Sequence, residues 1–255
     1  MQFLTQFLTN YSLTVSGFFI AFIATILLGM GKAGIKGIGV VIVLLMAFVF
    51  GGKQSTGVLL PLMIIADIFA VIYYHRHTQW FYLKKLLPSM FTGVLIGVWI
   101  GNFISETLFK QIMAIFILIT VIAMIYMEKK KANDIPSHWT FSSGMGLVSG
   151  FTSMVGNLAG SFTNIYFLAM RLPKNEFIGT AAWMFFIINM FKLPFHIFYW
   201  KTVNLHSIKT DLVLIPAIII GFVLGIIVLK HVNNNLYRKF IFGVTIIGAI
   251  LILIE

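Results

Sequence analysis

The sequence predicts an all-α integral membrane protein built from two inverted repeats of five segments, with about 8–10 transmembrane helices, some short or re-entrant. Three observations carry that expectation. Of 255 residues, 60% are hydrophobic and 10% charged, whereas soluble domains carry about 45–50% apolar and about 25% charged residues. That much apolar surface cannot be hidden in one water-facing core. The apolar residues also fall into runs separated by short loops, and the runs repeat.

Bounded by charge, Gly or Pro, the runs cover residues 13–30, 38–50, 56–75, 82–103, 109–127, 141–155, 158–170, 177–200, 212–229 and 237–254. Most are long enough to cross ~30 Å of hydrocarbon as helices. Runs 38–50, 141–155 and 158–170 are short, and their length allows either a tilted core helix or a half-spanning piece. Residues 1–13 contain no Lys or Arg, so they lack the positive region of a signal peptide, and the first helix is expected to stay in the protein.

The net charge of +11 is read as topology rather than as a nucleic-acid footprint. Alternate loops collect thirteen of the eighteen basic residues, from Lys32 and Lys36 through Arg76 and Lys129–Lys131 to Lys239, on one side. The other side holds Lys53, Lys110, Lys201 and Lys209. The positive-inside rule places the thirteen in the cytoplasm, with both termini outward. There is no cysteine, which excludes disulfides and thiolate chemistry.

The repeat is explicit. Gly34, Gly57 and Asp67 recur as Gly156, Gly179 and Asn189 at an offset of 122. Pro88, Gly93 and Gly97 recur as Pro216, Gly221 and Gly225 at an offset of 128, as does Leu108-Phe109-Lys110 in Leu236-Tyr237-Arg238. One six-residue insertion between Tyr199 and Ser207 reconciles the two offsets. Five segments per half is an odd number, so the second half enters the bilayer upside down, the organisation of many secondary transporters. The expected units are a first repeat over 1–127, a cytoplasmic linker over 128–140 and a second repeat over 141–255.

Two glycine-punctuated breaks occupy corresponding places, Gly29 to Gly37 and Gly150 to Ser161. A helix that starts after such a break aims its free N–H groups and positive dipole end at whatever sits there. Facing breaks would therefore form an anion cradle, with Gly31, Lys32, Gly34, Gly156, Asn157, Gly160, Asn189 and Lys192 as substrate-binding candidates. The alternative is that the glycines only allow close helix packing, which is the reading for Gly93-x3-Gly97-x3-Gly101 and Gly221-x3-Gly225. Asp67 and Lys192 lie inside apolar segments, where charge is costly and faces a partner or a polar cavity. Asp67 is a candidate for proton coupling or for an ion pair with Lys192, and His196 for a proton relay. Pro194 is expected to kink its helix. No metal-ligand cluster, cofactor motif or nucleophile–base pair stands out, so no catalytic residue is assigned.

With these residues in view, the chain resembles the TauE/SafE-like sulfite exporter family, the TSUP permeases, over about residues 10–254. The resemblance rests on the early Gly-rich break, Gly57-x9-Asp67 leading to Tyr74-His75-Arg76, and the GNLAG run from Gly156 to Gly160 leading to Gly179 and Asn189. It implies a permease of a bacterial inner membrane that moves small sulfur-containing anions such as sulfite or sulfonates, outward. Expected partners are a small inorganic or organic anion and membrane lipid, with a homodimer left open and nucleic acid excluded. A passive anion channel on the same architecture is the alternative.

Overall fold

The computed structural model describes residues 14–35, 38–105 and 139–231, with residues 107, 108, 111, 112, 115 and 119 between them. The expected runs 109–127 and 237–254, and the linker up to residue 138, otherwise lie outside the described residues. What is described is helical. In chain order the helices are α1 (Val15–Ala33), α2 (Gly39–Phe50), α3 (Gly52–Tyr74), α4 (Trp80–Ile100), α5 (Trp139–Gly156), α6 (Ala159–Ala169), α7 (Lys174–Pro194) and α8 (Leu205–Lys230). A 3₁₀ turn (His75–His77) prolongs α3, and a π-helical turn (Phe195–Tyr199) prolongs α7.

Among the described residues, five helical stretches are long and apolar enough to cross a membrane: Val15–Ala33, Gly52–His77, Trp80–Ile100, Lys174–Tyr199 and Leu205–Lys230. Of the three short runs, 141–155 becomes the 18-residue α5, and the other two stay short. At 12 and 11 residues, α2 and α6 rise only ~16–18 Å, about half of the hydrocarbon thickness. Large apolar side chains such as Phe48, Ile72, Trp99 and Phe198 stand on the outside, as they do where lipid is the solvent.

The breaks are narrower than the glycine spacing suggests. Gly29 and Gly31 lie inside α1, and Gly150 lies inside α5. Among the described residues of these two stretches, the chain leaves helical geometry at Gly34 and Ile35, at Ile38, and at Asn157 and Leu158. Gly34, at φ 131°, ends α1, with Gly34 N–H donating to Gly31 O and Ile35 N–H to Met30 O. This is a Schellman closure, which requires a positive φ. Asn157, at φ 55°, ends α5 in a related way, and asparagine tolerates that region better than most residues. Pro194 closes α7 and feeds the π-helical turn, so the expected irregularity appears as a change of winding.

The closest helix packing forms two seams, α4 with α5 and α1 with α8. A Cβ built on Gly93 would overlap Leu147 O, and one on Gly150 would overlap Met90 O. In the other seam, Gly221 meets Ile26 O and Gly29 meets Ile218 O in the same manner. Small residues let backbones approach where lipid supplies no hydrophobic drive. Gly93→Val is therefore expected to lower stability by about 1–3 kcal/mol or more, read by thermal unfolding in detergent. Gly144, where a Cβ would meet nothing within 4 Å, is the control position for substitution by Ala.

Two further close approaches resemble each other. Gly57 near the start of α3 abuts Thr202, whose carbonyl accepts from Gln54 Nε2 at 3.1 Å. Gly179 near the start of α7 lies so close to the end of α3 that a Cβ built on it would come within 2.7 Å of Tyr74 O, and its own carbonyl accepts from Thr78 Oγ1 at 3.3 Å. Each long central helix thus begins against the turn that leaves the other.

Candidate functional site

α2 and α6 begin at one shared cavity of about 90 Å³, enough for several waters or one small ligand. Its walls come from the end of α1 (Leu28, Gly31, Lys32), the start of α2 (Ile38, Gly39, Val40, Ile42), Met63 of α3 and Ser153 of α5. The second break and α6 add Asn157, Leu158, Ala159, Gly160 and Asn164, and α7 adds Phe185, Asn189 and Lys192. Among the described residues, the N-cap positions of α2 (Ile38) and α6 (Leu158) make no side-chain capping bond. Both helices therefore direct uncapped N–H groups and their positive dipole ends toward the cavity.

The buried charges are arranged in two groups. In the first, Lys32 Nζ donates to Asp67 Oδ1 at 2.6 Å, and Asn189 Nδ2 donates to Asp67 Oδ2 at 2.7 Å. Lys32 also lies 4.7 Å from the centroid of the Phe185 ring. In the second, Lys192 Nζ donates to Asn157 Oδ1 at 2.7 Å and to Ser153 O at 2.9 Å. Asn157 is itself anchored, its Nδ2 donating to Thr56 O at 3.1 Å. The two lysines differ in kind: Lys32 is neutralised by a carboxylate, whereas neutral oxygens hold the fully buried Lys192.

Six of the eight sequence-predicted binding residues line this cavity: Gly31, Lys32, Asn157, Gly160, Asn189 and Lys192. Gly34 and Gly156 do not. Gly34 closes α1 against Ile178 and Leu229, and Gly156 is the buried last residue of α5. Asp67 sits behind the wall, holding Lys32 and Asn189 from the rear. Its ion pair is with Lys32, not with Lys192 as one reading of the sequence had it. His196 lies in the π-helical turn, its Nδ1 2.8 Å from Thr202 Oγ1, away from the cavity wall. From that position it ties the end of α7 to the connection that leads into α8. Lys36 falls outside the described residues.

Sequence reasoning missed Asn164. It is 4% exposed, lines the cavity, and its Oδ1 finds no hydrogen-bond donor. The signal was available, because Asn164 follows Gly160 by four residues and so shares its helix face.

No curated protein and no solved structure matches the chain. Residues 13–252 match the protein family described as sulfite exporter TauE/SafE. Together with the long apolar helices, a match over nearly the full length settles the kinship that the break and repeat residues suggested: the chain belongs to the sulfite exporter TauE/SafE family, and it is a multi-pass membrane transporter rather than an enzyme.

Proposed function

We propose that the protein is a secondary transporter that exports small sulfur-containing anions, of the sulfite or organosulfonate type, by alternating access between two inverted repeats. The observation that carries the reading is the cavity itself. Two uncapped half-helix N-termini and a fully buried lysine held by neutral oxygens meet in a space of about 90 Å³. Each of these features favours negative charge.

The inverted repeat is supported by contacts that occur twice. Half-helices α2 and α6 stand at corresponding positions, and the glycine seams pair α4 with α5 and α1 with α8. Asp67 hydrogen-bonds its own repeat partner Asn189. Each seam joins a helix of residues 1–127 to one of 141–255, so the bodies that rock in this reading are the seam pairs rather than the two halves. The paired closures at Gly57–Thr202 and Gly179–Tyr74 would serve as the two gates. The protein would lie in a bacterial inner membrane with its termini outward and the 128–140 linker in the cytoplasm.

Counterflow in proteoliposomes tests this. Liposomes preloaded with sulfite should accumulate labelled sulfite transiently and saturably, and a small sulfonate outside should compete. Absence of flux for every anion of this class overturns the reading. Ohmic current without counterflow would replace it with a passive channel.

A further inference from the structure

Two lysines hold equivalent places at opposite ends of the molecule. Lys53 lies in the first turn of α3, and Lys174 is the first residue of α7. Lys53 Nζ donates to Gly101 O, at the C-terminal end of α4, at 3.0 Å. Lys174 Nζ donates to Leu229 O, in the last turn of α8, at 3.2 Å. Leu229 follows Gly101 by 128 positions, the offset of Gly93 and Gly221. Lys174 follows Lys53 by 121, one short of the offset of Gly57 and Gly179. The same bond is therefore made twice, once within each half of the chain.

Helix preference does not put these lysines there. The first turn of a helix is electrically positive and disfavours a cation, whereas the last turn offers unpaired carbonyls that attract one. Each lysine thus carries its charge at the wrong end of its own helix and delivers it to the right end of another.

Each bond also lies where the structure closes. Next to Lys53, Gln54 Nε2 donates to Thr202 O at 3.1 Å. The Trp200 ring lies against Lys53, its centroid 5.0 Å from Nζ, and its Nε1 donates to Val98 O at 3.3 Å. A Cβ on Gly101 would overlap the same ring. At the other end, Gln79 N–H donates to Thr180 Oγ1 at 2.9 Å, and Gly34 packs on Ile178 and Leu229. Because α3 and α7 each begin where the other ends, their first turns stand roughly 30 Å apart. The Asp67–Asn189 contact and the cavity lie between them.

Building on the alternating-access reading, we propose that Lys53 and Lys174 are positioning residues of the transport cycle, each latching the gate on one face of the membrane. Lys53 ties the start of α3 to the end of α4 and holds the extracytoplasmic gate. Lys174 ties the start of α7 to the end of α8 and holds the cytoplasmic one. Opening a face requires its lysine to leave the carbonyl while the lysine of the other face stays bound. Both side chains are half-buried, so water can take over a released ammonium, and the net strength of each latch stays low enough to cycle.

The chain contains no cysteine, so a single introduced thiol reports access to the cavity. Gly160→Cys suits this purpose, because Gly160 lines the cavity and an added Cβ would meet Phe185 Cζ at an ordinary 3.7 Å. Its reaction with a membrane-impermeant, negatively charged methanethiosulfonate is followed in right-side-out and inside-out vesicles containing the full chain. Adding Lys53→Met should speed labelling from the extracytoplasmic face about tenfold, the effect of losing one charged hydrogen bond. Lys174→Met should do the same from the cytoplasmic face. Lys53→Arg and Lys174→Arg, which keep a donor, should label at the parent rate.

Three outcomes overturn the proposal: both Met variants acting on one face, neither changing labelling from its own face, or one variant opening both faces at once. Lys53→Gln and Lys174→Gln give the same reading should a Met variant fail to fold. Labelling requires no flux. The expected pattern therefore upholds the latches even where sulfite shows no counterflow, a result that removes the sulfite reading alone.

Discussion

Replacing Lys192 with Met is expected to reduce anion transport roughly 30- to 1,000-fold, as the loss of a buried charge contact does, while leaving the protein as stable as before or more so. The two effects have one cause. Lys192 is fully buried, and among the described residues its hydrogen bonds go to neutral oxygens, Ser153 O at 2.9 Å and Asn157 Oδ1 at 2.7 Å. A cation in that setting is a burden on the empty protein and an asset only when an anion arrives. Methionine keeps the length of the stem and removes the charge, so folding loses two hydrogen bonds and gains relief from desolvation. Initial rates in proteoliposomes and thermal unfolding in detergent check the two halves of the expectation. A variant that loses stability and transport together would make Lys192 a structural residue.

Asp67→Ala should be far more damaging to the fold. It strips Lys32 of its counter-ion and Asn189 of its acceptor at once. Breaking a buried pair by removing one partner costs about 3–5 kcal/mol, because the survivor remains charged and unmatched. Lys32→Met/Asp67→Leu removes both charges, and it should recover most of that loss. The double-mutant cycle in thermal or denaturant unfolding isolates the pair. Strict additivity of the two single changes would mean that Lys32 and Asp67 do not stabilise each other. The same cycle read by transport should not recover, since Asn189 still lacks its acceptor at the cavity wall.

Much of this arrangement was legible from residue spacing. Asp67 and Asn189 stood out because polar groups inside apolar runs are expensive, and their offset of 122 matched the repeat. That logic located the network but not its wiring. Both lysines are long and flexible, and which one reaches Asp67 depends on where α1 ends relative to α3. The glycines show the opposite limit. Gly29, Gly34 and Gly150 look alike in sequence, yet only Gly34 breaks a helix, because the others face the backbone of a neighbour. Composition signals that a side chain is missing, and tertiary contact decides whether that absence serves a turn or a seam. Asn164 was overlooked although its spacing of four from Gly160 puts it on the same face of α6, because the glycine run drew attention to the break rather than to the helix that follows it.

The glycine seams also bear on how the protein is made. Insertion proceeds from the N-terminus, so α1 and α4 reach the bilayer before the helices that cover them exist. The glycine face of α4 waits for α5, and that of α1 waits until α8 has been inserted, nearly two hundred residues later in the chain. Until then each presents a backbone groove to lipid. The first five segments are thus a partner awaiting its complement, and co-expressing the two halves as separate chains should yield protein that neither half yields alone.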